Sequence, residues 1–92
     1  MELIYRPSFN RELKNIRDKK VLLELASTLK QIETVKGKEG IGGLKKLREY
    51  AHYYRIKIKV SDKKDYRLVL MIRNNKVWVE NFALAKKIFY KK

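Results

Sequence analysis

The chain has 92 residues, 24 of them Lys or Arg and 10 Asp or Glu, for a formal net charge of +14; this length supports one hydrophobic core and leaves no room for a second. Hydrophobic residues at 45% and aromatics at 11% exclude a compositionally disordered chain, and the lack of cysteine excludes a disulfide framework and thiolate chemistry. No apolar run reaches the ~18 residues of a membrane span, and Met1-Glu2-Leu3-Ile4-Tyr5 lacks the basic-then-apolar order of a signal peptide, so a single domain over residues 1–92, cytoplasmic and away from the membrane, is expected.

Leu3-Ile4-Tyr5-Arg6 reads as a short strand ended by Pro7, which suits the edge of a sheet. Ser8 is the expected cap of a first helix, with Phe9, Leu13 and Ile16 on one apolar stripe. Asp18 is the expected N-cap of a second helix, in which Leu22, Leu25, Leu29 and Ile32 recur every three or four residues. The two helices form a hairpin. Gly37, Gly40, Gly42 and Gly43 place the end of the second helix near Val35-Lys36 and open a connection whose spacing matches neither a P-loop nor a dinucleotide fingerprint.

The period then changes to two. Tyr54, Ile56, Ile58 and Val60 alternate with Arg55, Lys57 and Lys59, the pattern of a strand with one buried and one cationic face. A polar turn over residues 61–64 leads to a central strand from Asp65 to Ile72. Asn74-Asn75 suit a tight hairpin turn, and the last strand runs from Val77 to Phe82 before a basic segment, Ala83 to Lys92. The expected fold is α+β: an N-terminal strand, a helical hairpin, then a three-stranded antiparallel meander with the hairpin on one sheet face.

The strongest chemical feature is the cationic side of that sheet. Arg55, Lys57 and Lys59 point one way, and Arg67 joins them if the antiparallel register sets it opposite. Such a face, expected here without compensating carboxylates, either stays solvated or binds phosphate, which Arg forks match bidentately and Lys meets as a point charge. Lys45, Lys46 and Arg48 flank it, and Lys86, Lys87, Lys91 and Lys92 close the chain. Interleaved aromatics (Tyr50, Tyr53, Tyr54, Trp78, Phe82, Phe89 and Tyr90) either fill the core or stack on unstacked bases. Tyr90, set among lysines, is the one best suited to stacking. His52 is the only histidine, and Ser8, Ser27 and Ser61 lie away from it in sequence. Glu39, Glu49 and Glu80 show no pairing pattern. A zinc site or hydrolase triad is therefore not expected. Chemistry falls to lysine, arginine and tyrosine, with no metal and no small-molecule cofactor.

Four segments in order, Leu44-Lys45-Lys46-Leu47, Tyr54-Arg55-Ile56-Lys57-Ile58, Asp65-Tyr66-Arg67-Leu68-Val69-Leu70 and Lys86-Lys87-Ile88-Phe89-Tyr90, resemble the RelE-like toxins of the RelE/ParE superfamily over about half the chain. The resemblance implies a type II toxin, a ribosome-dependent endoribonuclease that cuts messenger RNA in the A site without metal through attack by the RNA's own 2′-hydroxyl. It also implies a cognate antitoxin. Arg55 and Lys57 match the family's paired basic residues, Arg67 its arginine on the next strand, Lys86 and Lys87 its paired arginines, and Tyr90 its tyrosine. Ala85 and Ile88 depart from it, standing where many relatives have a histidine and an acidic residue.

Neighbouring cations and partial burial disfavour an ammonium, so a crowded cationic site can hold a lysine as a free amine. On that basis Lys57 is the candidate base, Arg55 and Arg67 clamp the phosphorane charge, Lys86 or Lys87 protonates the leaving oxygen, and Tyr90 stacks on the base or orients the phosphate. Lys45, Lys46, Arg48 and Lys59 are candidate RNA-binding residues. Two other functions fit the charge: a gyrase-inhibiting toxin on the same scaffold, and a non-catalytic RNA- or ribosome-binding protein.

Overall fold

The computed structural model describes residues 1–62 and 64–87, Lys87 by its backbone alone. Strand β1 (Glu2–Tyr5) precedes helices α1 (Pro7–Leu13) and α2 (Lys19–Thr34). A 3-10 turn at Lys38–Gly40 leads to strands β2 (Leu44–Lys46), β3 (Tyr53–Ser61), β4 (Lys64–Arg73) and β5 (Lys76–Leu84), and a second 3-10 turn follows at Ala85–Lys87. The sheet order is β1-β5-β4-β3-β2, with β1 parallel to β5 and every other neighbour antiparallel. This is the expected α+β arrangement, extended by the three-residue strand β2, which is too short to announce itself by alternation.

Pro7 occupies the first turn of α1, where its fixed φ suits a helix and its missing N–H costs nothing. That moves the helix start upstream of Ser8. Arg6 takes the N-cap position without a side-chain cap, and Ser8 Oγ instead donates to the Glu80 carbonyl at 2.6 Å. Asp18 does cap α2 as expected, accepting from Lys20 N at 2.9 Å. The helix stops at Thr34, with Val35 extended behind it. Its fully buried stripe is Val21, Leu25 and Ile32, so Val21 rather than the partly exposed Leu22 heads the row.

Alternate residues of the strands meet these helices. Ile56 and Ile58 of β3, Leu68, Leu70 and Ile72 of β4, and Val77, Val79 and Phe82 of β5 form one cluster with Phe9, Val21, Leu25, Ile32 and Ile41. Burying a side chain such as Leu70 or Phe82 contributes roughly 1.5–3 kcal/mol. Asn74 and Asn75, at φ 51° and 64°, turn β4 into β5 with the paired positive angles that the hairpin twist favours.

The β4–β5 pairing has one irregularity. Val69 pairs with Asn81 but Leu70 with Val79, leaving Glu80 as an extra residue in β5. The start of the helical layer closes this gap: Arg6 Nε meets Glu80 Oε2 at 3.1 Å, and Glu12 Oε1 accepts from Phe82 N at 2.9 Å and Asn81 Nδ2 at 3.1 Å. The bulge is satisfied rather than frayed. Among the described residues no helix is long and apolar enough to cross a membrane.

Candidate nucleic-acid interface

The sheet face away from the helices carries the cations. Strand alternation turns Arg55, Lys57 and Lys59 outward while Ile56 and Ile58 are buried. The register sets Lys57 directly opposite Arg67, the antiparallel pairing on which a joint patch depends, and β2 adds Lys45 directly opposite Arg55. Val69, between Arg55 and Asn81 in register, is buried on this face without belonging to the core cluster.

The expectation of a face without carboxylates is wrong. Asp65 stands opposite Lys59 in register, two residues before Arg67 on the same strand, and its Oδ2 lies 3.6 Å from Lys57 Nζ. Alternation along β3 alone does not reveal this, because the carboxylate comes from the neighbouring strand. Lys57 therefore has an anionic neighbour as well as the cationic ones that the sequence suggests. Both side chains remain partly exposed, Lys57 at 54% and Asp65 at 35%, so the pair is accessible to a competing anion. Asp65 Oδ1 and Arg67 Nε are shielded from solvent and have no hydrogen-bond partner. An unpaired buried donor and acceptor on one strand mark a place where a ligand can supply what the protein does not.

The other candidates are scattered. Lys46 lies opposite Tyr54, on the side of the sheet away from Arg55, and its Nζ donates to the carbonyls of Leu47 at 2.9 Å and Tyr50 at 2.5 Å. Lys46 and Lys38 sit 5.6 and 5.5 Å from the Tyr54 ring centroid, within cation–π range. Lys38 also donates to Tyr54 Oη at 3.1 Å, and that bond raises the Lys38 pKa above its ordinary value. Tyr54 is therefore engaged within the fold. Arg48 is exposed in the turn after β2. Lys86 is exposed in the second 3-10 turn and borders a hollow of about 320 Å³ lined also by Asp62, Lys64, Asp65, Leu84 and Ala85. The Lys87 side chain, Phe89 and Tyr90 lie outside the described residues.

Among the aromatics, Phe82 is fully buried and stacks on Tyr66 at 5.1 Å between centroids, so it is a core residue. Met71 pairs with both Tyr53 and Trp78, and Trp78 with Ile4, which gives the cationic face a partly exposed apolar row at its other end. His52 has a φ of 66° and its carbonyl accepts from Ile72 N at 2.8 Å. Five strand positions separate it from Lys57, roughly 17 Å at the usual rise per residue, so it cannot serve chemistry there.

No protein-family model matches the chain, and no curated protein matches it in sequence. Its fold does match solved structures. A chain of the RelB–RelE antitoxin–toxin complex from Methanococcus jannaschii superposes with a TM-score of 0.68 at 15% identity, covering 90% of this chain and 91% of that one. The solution structure of the conserved hypothetical protein HP0894 from Helicobacter pylori gives a TM-score of 0.64 at 20% identity, over 97% and 99% of the two chains. At these identities the fold alone is what is shared; in this chain the sheet face away from the helices carries Arg55, Lys57 and Arg67.

Proposed function

We propose that this chain is the toxin of a toxin–antitoxin pair and cleaves messenger RNA held in the ribosomal A site. The observation that carries this reading is the Lys57–Arg67 cross-strand pair on the sheet face away from the helices, with Arg55 and Lys45 in the adjoining row. Like charges set directly opposite each other destabilise a sheet; Asp65 offsets part of that cost at Lys57, and a bound phosphate offsets more. Arg67 brings a shielded Nε without a partner, a donor suited to a phosphate oxygen. Fold likeness to a chain of an antitoxin–toxin complex adds the class of partner.

In the proposed reaction the RNA 2′-hydroxyl attacks the adjacent phosphorus, and the charge that gathers on the phosphorane oxygens is met by Arg55 and Arg67. Lys57 holds the same phosphate as an ammonium. Lys86, on the rim of the neighbouring hollow, gives a proton to the departing 5′-oxygen; Lys87 and Tyr90 keep the roles implied by the sequence resemblance. Charge complementarity to a net +14 surface fits an antitoxin with an acidic or amphipathic segment.

Purified protein incubated with message-programmed ribosomes tests this, with a gyrase supercoiling assay run beside it. The expected result is message cut to leave a 5′-hydroxyl end, slowed at least ~100-fold by folded Lys57→Ala or Arg67→Ala. Inhibited supercoiling with intact message would assign the scaffold to gyrase instead. RNA that is bound in a salt-sensitive manner but left intact would make the chain a binding protein.

A further inference from the structure

We infer that Asp65 is the general base of the proposed cleavage, taking the proton of the attacking 2′-hydroxyl; this rests on the endoribonuclease reading above. A cationic neighbourhood alone favours Lys57 for that role, but Asp65 Oδ2 lies 3.6 Å from Lys57 Nζ, so the face also holds a carboxylate beside the cations. A carboxylate on the same face is then a candidate base. His52 lies roughly 17 Å along the strand from Lys57. Glu80 pairs with Arg6, and Glu12 is occupied by Phe82 N and Asn81 Nδ2. Asp65 remains.

Its surroundings fit the role. The residue sits between Lys57 and the 320 Å³ hollow that Lys86 borders, a space near the lower end of the ~300–1,000 Å³ typical of ligand sites. Its Oδ1 lacks a partner, and so does Nε of Arg67, two residues away on the same strand face. The ligand that completes both must present a donor and an anionic acceptor side by side. A ribonucleotide does this, with its 2′-hydroxyl next to its 3′-phosphate; a deoxyribonucleotide lacks the donor.

The incoming phosphate draws the Lys57 ammonium off Asp65 Oδ2 and meets Arg67. The freed carboxylate takes the 2′-hydroxyl proton as the 2′-oxygen bonds to phosphorus. The P–O5′ bond breaks with its electron pair on the 5′-oxygen, which takes a proton from Lys86, leaving a 2′,3′-cyclic phosphate and a 5′-hydroxyl. The Asp65 proton then passes to solvent and Lys86 regains one, so no net proton is consumed.

Single-turnover cleavage of ribosome-bound message, measured against pH, tests the assignment. Asp65→Asn removes a negative charge beside the phosphate, so it is expected to bind message at least as tightly as the parent while cutting it ~100-fold or more slowly. The acid limb of the parental pH profile, where rate rises as the base ionises, should vanish in Asp65→Asn, return in Asp65→Glu, and persist in Lys57→Ala on a slower reaction. Should Asp65→Asn fail to fold, the Lys57→Ala profile decides alone: loss of its acid limb would return the base to Lys57. A parental rate in Asp65→Asn, or a slow rate with the acid limb intact, overturns this inference and leaves the endoribonuclease reading standing. Parental protein that leaves the message whole overturns both.

Discussion

The two faces of the sheet share strands β3, β4 and β5 and differ in what their side chains leave unsatisfied. Toward the helices, Leu68, Leu70, Val77, Val79 and Phe82 are wholly buried among Phe9, Val21, Leu25 and Ile32, and the bulge at Glu80 is tied off by Arg6, Ser8 and Glu12. On the other side the in-between residues set Lys57 against Arg67 and Lys45 against Arg55, with a carboxylate oxygen at Asp65 and a donor at Arg67 that lack partners. One face therefore holds the free energy of folding. The other holds a free-energy cost that a ligand can reduce, which is how functional surfaces differ from cores built on the same backbone.

Substitutions should separate along that line. Phe82→Ala, which empties a fully buried aromatic site, is expected to lower stability by about 3–5 kcal/mol in chemical denaturation while the protein that stays folded still cuts message. A loss below ~1 kcal/mol would mean that the core is elsewhere. Arg67→Ala should behave in reverse, with cleavage slower by ~100- to 1,000-fold and no loss of stability, because the change relieves the opposition to Lys57. Unfolding on the scale of Phe82→Ala would make Arg67 structural and erase the contrast.

Smaller effects sharpen the same comparison. Asp18→Ala removes the cap of α2 and should cost ~1 kcal/mol of stability with cleavage unchanged, since that helix end belongs to the covered side. Lys45→Ala should reduce the slope of log affinity against log salt for single-stranded RNA by ~0.7, the loss of one phosphate contact. Lys46→Ala should leave that slope alone, because its ammonium is committed to the carbonyls of Leu47 and Tyr50. Equal slopes for the two variants would contradict the division into faces.

Features of the fold and site are legible in the sequence where the information is local. Alternation from Tyr54 to Val60, the Asn74-Asn75 turn and the Asp18 cap each rest on neighbours within a few residues, and the fold follows them. Ser8 misleads because Pro7 fits the first helical turn better than the residue after it fits the cap. The extra residue at Glu80 leaves no mark, since a bulge depends on two strands and on the helix that closes it. The patch is legible in Arg55, Lys57 and Arg67, whose spacing needs only a conventional antiparallel register. Asp65 is not, because a diagonal contact to Lys57 at 3.6 Å is set by that register and by side-chain reach together. The position facing Lys59 is the one available signal.

Whether the cationic face acts on RNA through the 2′-hydroxyl is open to direct measurement, with two ribosome-bound messages that differ only at the nucleotide before the cut, ribose in one and 2′-deoxyribose in the other. Cutting of the first to a 5′-hydroxyl end, with the second bound equally well but left whole, is the predicted result. Cutting of both messages would contradict a reaction that runs through the 2′-hydroxyl.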